Sequence, residues 1–250
     1  MMVWMPGSAR GTDFQPRTFA GAGLTMPYQL LIPPNYDATK KYPLVLFFHG
    51  AGERGNTNIS QLARVARTFA APAFEQAHPC FALAPQCPID LQWVEMDWGA
   101  ASGVRPTQPS KAMQTALAIL DSTEREFSID HDRVYVAGVS MGGYGAWDCI
   151  TRFPGRFAAG IACCGGGDES TVTPEVAHMP VWAFHSVDDK AVPVARTRNM
   201  IAAMRKLGGD PKYTEYQDRG HEVWDNGAAH EPALFDWLFS QSLALRGKAP

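Results

Sequence analysis

The chain has 250 residues, 46% of them hydrophobic and 19% charged, with a formal net charge of −3. That apolar share supplies a packed core and argues against disorder, and with no basic excess and no cluster of Lys and Arg, nucleic acid is not an expected partner. No window approaches the roughly 18 consecutive apolar residues of a spanning helix, so no membrane is expected either.

The opening stretch "MMVWMPGSARGTDF" lacks a basic start followed by an apolar run, so it is not a recognisable signal peptide. The compartment stays open between cytoplasm and, after removal of a leader, the exterior or periplasm. Residues 1–23 read as an N-terminal extension and 24–245 as one domain. The segment 24–33 reads as an edge strand, followed by a strand at 43–50 ("PLVLFFHG"), a helix at 59–76 and a strand at 80–85 ("CFALAP"). A helix at 109–127, a strand at 134–138 ("VYVAG") and a helix at 141–153 come next. Strands at 160–164 and 180–185, a helix at 194–208, a strand at 212–217 and a closing helix at 231–245 complete the pattern. Alternating short apolar runs and helical patterns predict an α/β fold with a mostly parallel sheet covered by helices on both faces.

Five cysteines (Cys80, Cys87, Cys149, Cys163 and Cys164) show neither CxxC spacing nor a His-rich neighbourhood. They read as buried free thiols, and no metal or other cofactor is expected.

Gly138-Val139-Ser140-Met141-Gly142 joins a strand directly to a helix, the pattern of a nucleophile elbow. Its alternative is a tight turn whose serine merely caps the helix. An elbow lifts the Ser140 hydroxyl above the sheet edge and aims the first N–H groups of the helix, Met141 foremost, at a developing oxyanion. A serine needs an imidazole to take its proton and a carboxylate to orient the imidazole, in the chain order Ser, acid, His. After the elbow the sequence offers "HSVDDKAVP" and "RGHEVWD". His221 stands in the second, and the acid is Asp188 or Asp189. His185 ends an apolar strand and reads as a structural histidine bonding backbone. His78, His131, His178 and His230 read as surface residues.

Taken together, "FFHGAGERG", "APQCP", "GVSMGGYGAWD", "DDKAVPV" and "GHEVWD" resemble the serine-esterase branch of the α/β-hydrolases, which includes feruloyl and acetyl-xylan esterases, polyhydroxybutyrate-depolymerase-like proteins and predicted peptidases. The resemblance spans roughly residues 24–242 and implies an α/β-hydrolase fold. It implies Asp189 as the acid, in an H-G-x-x-D-x-x-V-P segment from which the chain departs by having Ser186 for Gly. It also implies the Ala51 N–H as the second oxyanion donor, His49 as a brace for that loop and an ion pair between Glu53 and Arg54 that fixes it. Trp93, Trp98 and Trp224 are expected at the substrate cleft.

The segment between 164 and 180 is short, leaving little room for a cap domain, so an open cleft is expected. The function that follows is a metal-free serine carboxylesterase acting through an acyl-enzyme on short-chain or aromatic acyl esters, acetyl or feruloyl groups on plant polysaccharide foremost. The alternatives are a serine peptidase of the prolyl-oligopeptidase kind and a noncatalytic carbohydrate-binding relative. Oligomeric state is not legible.

Overall fold

A computed structural model describes residues 14–246. Eight strands form one sheet: β1 (Gln15–Gly21), β2 (Leu24–Leu31), β3 (Tyr42–Phe48), β4 (Phe81–Pro85), β5 (Ile129–Val139), β6 (Ala159–Cys163), β7 (Val181–Ser186) and β8 (Lys212–Tyr216), in the order β1-β2-β4-β3-β5-β6-β7-β8. From β4 to β8 every pairing is parallel, whereas β1–β2 and β2–β4 are antiparallel.

Nine α-helices connect or flank the strands: α1 (Leu62–Phe69), α2 (Pro72–Ala77), α3 (Lys111–Glu126), α4 (Met141–Arg152), α5 (Pro174–Ala177), α6 (Ala195–Lys206), α7 (Val223–Asn226), α8 (Leu234–Ser240) and α9 (Leu243–Arg246), counted among the described residues. The predicted strands and the long helices α3, α4 and α6 stand within a few residues of their expected limits.

Three expectations change. The segment 24–33 is not an edge, because β1 pairs with it in full register from Gln15↔Leu30 to Gly21↔Leu24. Its Ala22-Gly23 turn, with φ of 53° and 74°, closes a two-residue hairpin that draws part of the supposed extension into the sheet. The helix expected at 59–76 is two helices. Pro72 occupies the first turn of α2, where its missing N–H costs nothing but where a continuous helix would clash. The closing helix is likewise divided, into α8 and α9.

The central strands are buried on both faces, which is why "LVLFF" and "VYVAG" read as unbroken apolar runs. Alternate residues feed two cores. Leu44, Leu46, Phe48, Val134 and Val136 pack with α3, α4 and α6 on one face. Val45, Phe47, Tyr135, Ala137 and Val139 pack with Val65, Phe69, Trp224 and Leu238 on the other. All five cysteines are buried and unpaired. No described helix is long and apolar enough to cross a membrane.

Candidate active site

At the C-terminal edge of the sheet β5 passes straight into α4 through Ser140, which holds φ 58° and ψ −122°, a strained conformation for a residue with a side chain. The flanking glycines exist for backbone clearance. A Cβ on Gly138 would lie 2.0 Å from the Gly142 carbonyl oxygen, and one on Gly142 would lie 2.0 Å from that of Phe48. The Ser140 N–H donates to Cys163 O at 2.9 Å, tying the elbow to β6. The Ser140 side chain does not cap α4, which disposes of the capping alternative. Its Oγ meets His221 Nε2 at 2.7 Å instead.

His221 Nδ1 lies 2.7 Å from Asp189 Oδ2. A carboxylate only accepts, so Nδ1 carries the ring proton and Nε2 is left to accept from the Ser140 hydroxyl. The other Asp189 oxygen, Oδ1, accepts the N–H groups of Ala191 at 2.8 Å and Val192 at 3.0 Å. Burial pushes the Asp189 pKa up, but hydrogen bonds from His185, His221, Val192 and Ala191 outweigh it and hold the carboxyl well below its ordinary range. The Asp189 side chain is fully buried, while that of His221 is 29% exposed, which lets the imidazole face a substrate.

Asp188 turns the other way. It accepts from Ser186 Oγ at 2.6 Å and from the Gly220 N–H at 2.8 Å. Ser186 Oγ in turn accepts the Arg219 N–H at 2.9 Å. The serine that replaces the usual glycine thus ties the end of β7 to the loop that presents His221, where Gly220 takes φ 55°.

The loop after β3 forms a short 3-10 turn, Ala51–Glu53. His49 accepts the Cys87 N–H on Nε2 at 3.0 Å, so its Nδ1 is the donor to Gly50 O at 2.7 Å. Burial drives the His49 pKa down to about 4, and the ring is neutral. Because Gly50 C=O and Ala51 N–H belong to one trans peptide, holding the carbonyl toward His49 turns the Ala51 N–H away from it. Ala51 lines the cleft, and Met141 begins α4 beside Ser140.

The cleft has a volume of about 370 Å³, and Gly50, Ala51, Arg64, Trp98, Ser140 and His221 are among its lining residues. Of the three tryptophans expected there, only Trp98 lines it. Trp93 is fully buried, packs against Phe48 and donates Nε1–H to His49 O at 3.1 Å, so it supports the loop from behind. Trp224, 1% exposed, packs edge-on against Phe47 in the core, because the short helix α7 turns it inward three residues after His221.

The expected Glu53–Arg54 ion pair is replaced by other contacts. Arg54 bonds the carbonyls of Ala51 and Leu91 at 3.0 and 3.3 Å, and Glu53 pairs with Arg64 of α1. Arg64 also reaches Glu222 at 2.9 Å and Asp225 at 3.0 Å, linking the loop after β3 to the loop that carries His221. Sequence reading did not single out Arg64. A cationic residue on a helical pattern otherwise gives no sign of its distant partners.

Cys164 Sγ, one carboxylate oxygen of Asp189 and one ring nitrogen of His221 lie within 4.8 Å of one another. As a metal set they fit poorly. The 2.7 Å hydrogen bond fills the space between two of the donors, and burial pushes the Cys164 thiol up to about 12, so a thiolate is unfavourable.

The model of the phospholipase/carboxylesterase family matches residues 35–229. The chain belongs to that family and has the α/β-hydrolase fold. A thermostable esterase of known structure is 38% identical, with a TM-score of 0.85 over 93% of this chain and 64% of its own. A ferulic acid esterase from Anaeromyces mucronatus, solved with ferulic acid, shares the fold at 12% identity, with a TM-score of 0.67 over 93% of this chain and 92% of its own. A bifunctional acetylxylan esterase/xylanase of Neocallimastix patriciarum is 29% identical over 82 residues, 33% of this chain and 12% of that protein. The chain therefore spans less than two thirds of both the thermostable esterase and the bifunctional enzyme.

Proposed function

We propose that the protein is a serine carboxylesterase in which Ser140 is the nucleophile, His221 the general base and acid, and Asp189 the residue that orients His221. The observation that carries this reading is the continuous chain of hydrogen bonds from Ser140 Oγ to His221 to Asp189, at 2.7 Å in each step, opening onto the cleft.

Ser140 Oγ attacks the ester carbonyl as His221 Nε2 takes its proton. The oxyanion accepts from the Ala51 and Met141 N–H groups, already oriented before substrate arrives. Collapse of the tetrahedral adduct passes the proton from His221 to the departing alcohol, and a water activated by the same imidazole releases the acid. Asp189 stays ionised throughout and stabilises the imidazolium.

The substrate reading is a short-chain or aromatic acyl ester, with acetyl or feruloyl groups on plant polysaccharide as its source. Its support is the absence of a cap in the segment 164–180, the placement of Trp98 on the cleft wall and the likeness to esterases. Labelling by a fluorophosphonate, abolished in Ser140→Ala, tests the nucleophile. Turnover of p-nitrophenyl esters from two to sixteen acyl carbons, beside methyl ferulate and acetylated xylan, tests the substrate. Efficiency is expected to peak at acetyl to butyryl, and a maximum at long chains with interfacial activation would show a lipase instead.

A further inference from the structure

Asp189 serves two imidazoles. Besides His221, its Oδ2 lies 3.2 Å from Nε2 of His185, and both side chains of this second pair are fully buried. His185 Nε2 also faces Val192 O at 3.0 Å, and its Nδ1 faces Thr197 Oγ1 at 2.7 Å. Thr197 has a single hydroxyl proton, and its Oγ1 lies 2.7 Å from Gly165 O, which can only accept. With that proton directed to Gly165, Nδ1 must donate to Thr197. Nε2 meets only a carbonyl and a carboxylate, so it must donate as well. Either single-proton tautomer would set two lone pairs against each other at side chains closed to solvent, where an unsatisfied polar group is costly. Both ring nitrogens are therefore called on as donors.

We propose that His185 is a positioning residue for the proposed base: a buried double donor, anchored through Thr197 to Gly165, that shares Asp189 with His221 and sets how strongly that carboxylate attracts His221. The inference rests on the assignment of Ser140, His221 and Asp189 above. The elements are fixed in the fold: His185 is the penultimate residue of β7, Thr197 stands in the first turn of α6, and Gly165 follows β6. The ionisable groups facing the pair are His221, Cys164 after β6, and Tyr144 on α4 with Arg196 bonded to its hydroxyl at 3.0 Å. Across the β7–β8 ladder Glu215 stands opposite His185, its carboxylate held by Arg198 at 2.7 and 2.8 Å. Glu215 thus has a cation of its own, which leaves Asp189 as the carboxylate in contact with His185.

A donor on Oδ2 withdraws charge from Asp189. Removing it leaves a more basic carboxylate facing His221, which favours the imidazolium, so that the neutral ring needed to take the Ser140 proton prevails only at higher pH. In His185→Phe the acidic limb of kcat/KM is expected to move up by roughly one pH unit. In His185→Gln, whose amide can donate to Asp189, the limb should return toward that of the wild type.

Folded His185→Phe with an unmoved acidic limb would overturn the proposal and leave His185 a packing residue. If that variant does not fold, the wild-type protein decides by nitrogen NMR of 15N-labelled histidine, assigned through His185→Gln. Protons on both His185 nitrogens are expected, and an unprotonated Nε2 would overturn the proposal. That readout needs no activity, so it stands apart from the outcome of Ser140→Ala.

Discussion

On one side of the cleft Ser140 is placed by backbone against backbone. Gly138 and Gly142 leave no room for a methyl group, and the serine N–H is pinned to β6. On the other side the loop Gly50–Arg54 is placed by side-chain contacts: His49 and Trp93 from behind, its own Arg54 across to Leu91, and Arg64 from α1. The first arrangement is main chain packed at closest approach, and it tolerates almost no variation. The second is assembled from segments up to 44 residues apart, as in the contact of Trp93 with His49, and each contact is a separate and smaller contribution. Substitutions should therefore divide into all-or-none effects on the elbow side and graded ones on the loop side.

The largest effect is expected from Ser140→Ala, which should fold as the wild type and lose a factor of roughly 10⁴–10⁶ in ester turnover. Retention of more than about a tenth of the activity would remove Ser140 from the role of nucleophile. Next comes Asp189→Asn, with a loss near 10⁴, the figure known for the corresponding change in a serine-protease triad. Asp188→Asn should cost far less, because Asp188 touches the Gly220 N–H and not the imidazole. A larger loss in Asp188→Asn would reverse the assignment of the acid.

These residues were legible because their placement is written in short-range pattern. Gly-x-Ser-x-Gly between a strand and a helix admits one backbone path, and the chain order of acid and histidine follows from the order of the strands. Asp188 and Asp189 could not be told apart by pattern alone. Adjacent residues at a strand end point in opposite directions, and the choice depends on where Gly220 lies, 31 or 32 residues further on. Strand β1 was missed for a similar reason: it is half-exposed along its length, so no apolar run announces it. Trp93 and Trp224 stand near site residues in sequence, yet the sequence does not say which face of a loop is the core. The partner of Glu53 was misread because an adjacent arginine looks closer than one eleven residues away on α1.

On the loop side, His49→Phe removes the donor that turns the Gly50 carbonyl and, with it, the Ala51 N–H. Misplacing one oxyanion donor without deleting it should lower kcat about 10²-fold and leave KM nearly unchanged. The same variant has a pH signature. The folded-state pKa of His49 is lowered from 6.5 to about 4, so as the pH falls through that window the unfolded chain takes up the proton first. The wild type should lose stability there by an amount that His49→Phe does not, readable as urea midpoints at pH 7 and pH 4.5. Equal acid sensitivity in the two proteins would mean that His49 is not held neutral.

The smallest effect concerns the cleft wall. Trp98 lines the cleft, with its backbone carbonyl accepting from Tyr144 Oη at 3.3 Å and the Arg54 guanidinium 5.9 Å from its ring. A ring held in this way can stack on a phenolic acyl group or a sugar, an interaction of about 0.5–1.5 kcal/mol beyond area burial. Trp98→Ala should therefore lower kcat/KM for methyl ferulate relative to p-nitrophenyl acetate by roughly two- to tenfold, since acetyl offers nothing to stack. Trp224→Phe is the control. It lies in the core against Phe47 and should cost about 1–3 kcal/mol of stability while leaving that ratio alone. If Trp98→Ala scaled both substrates equally, the ring would be support for the loop and not a surface for substrate, and the aromatic preference would have to come from another part of the wall.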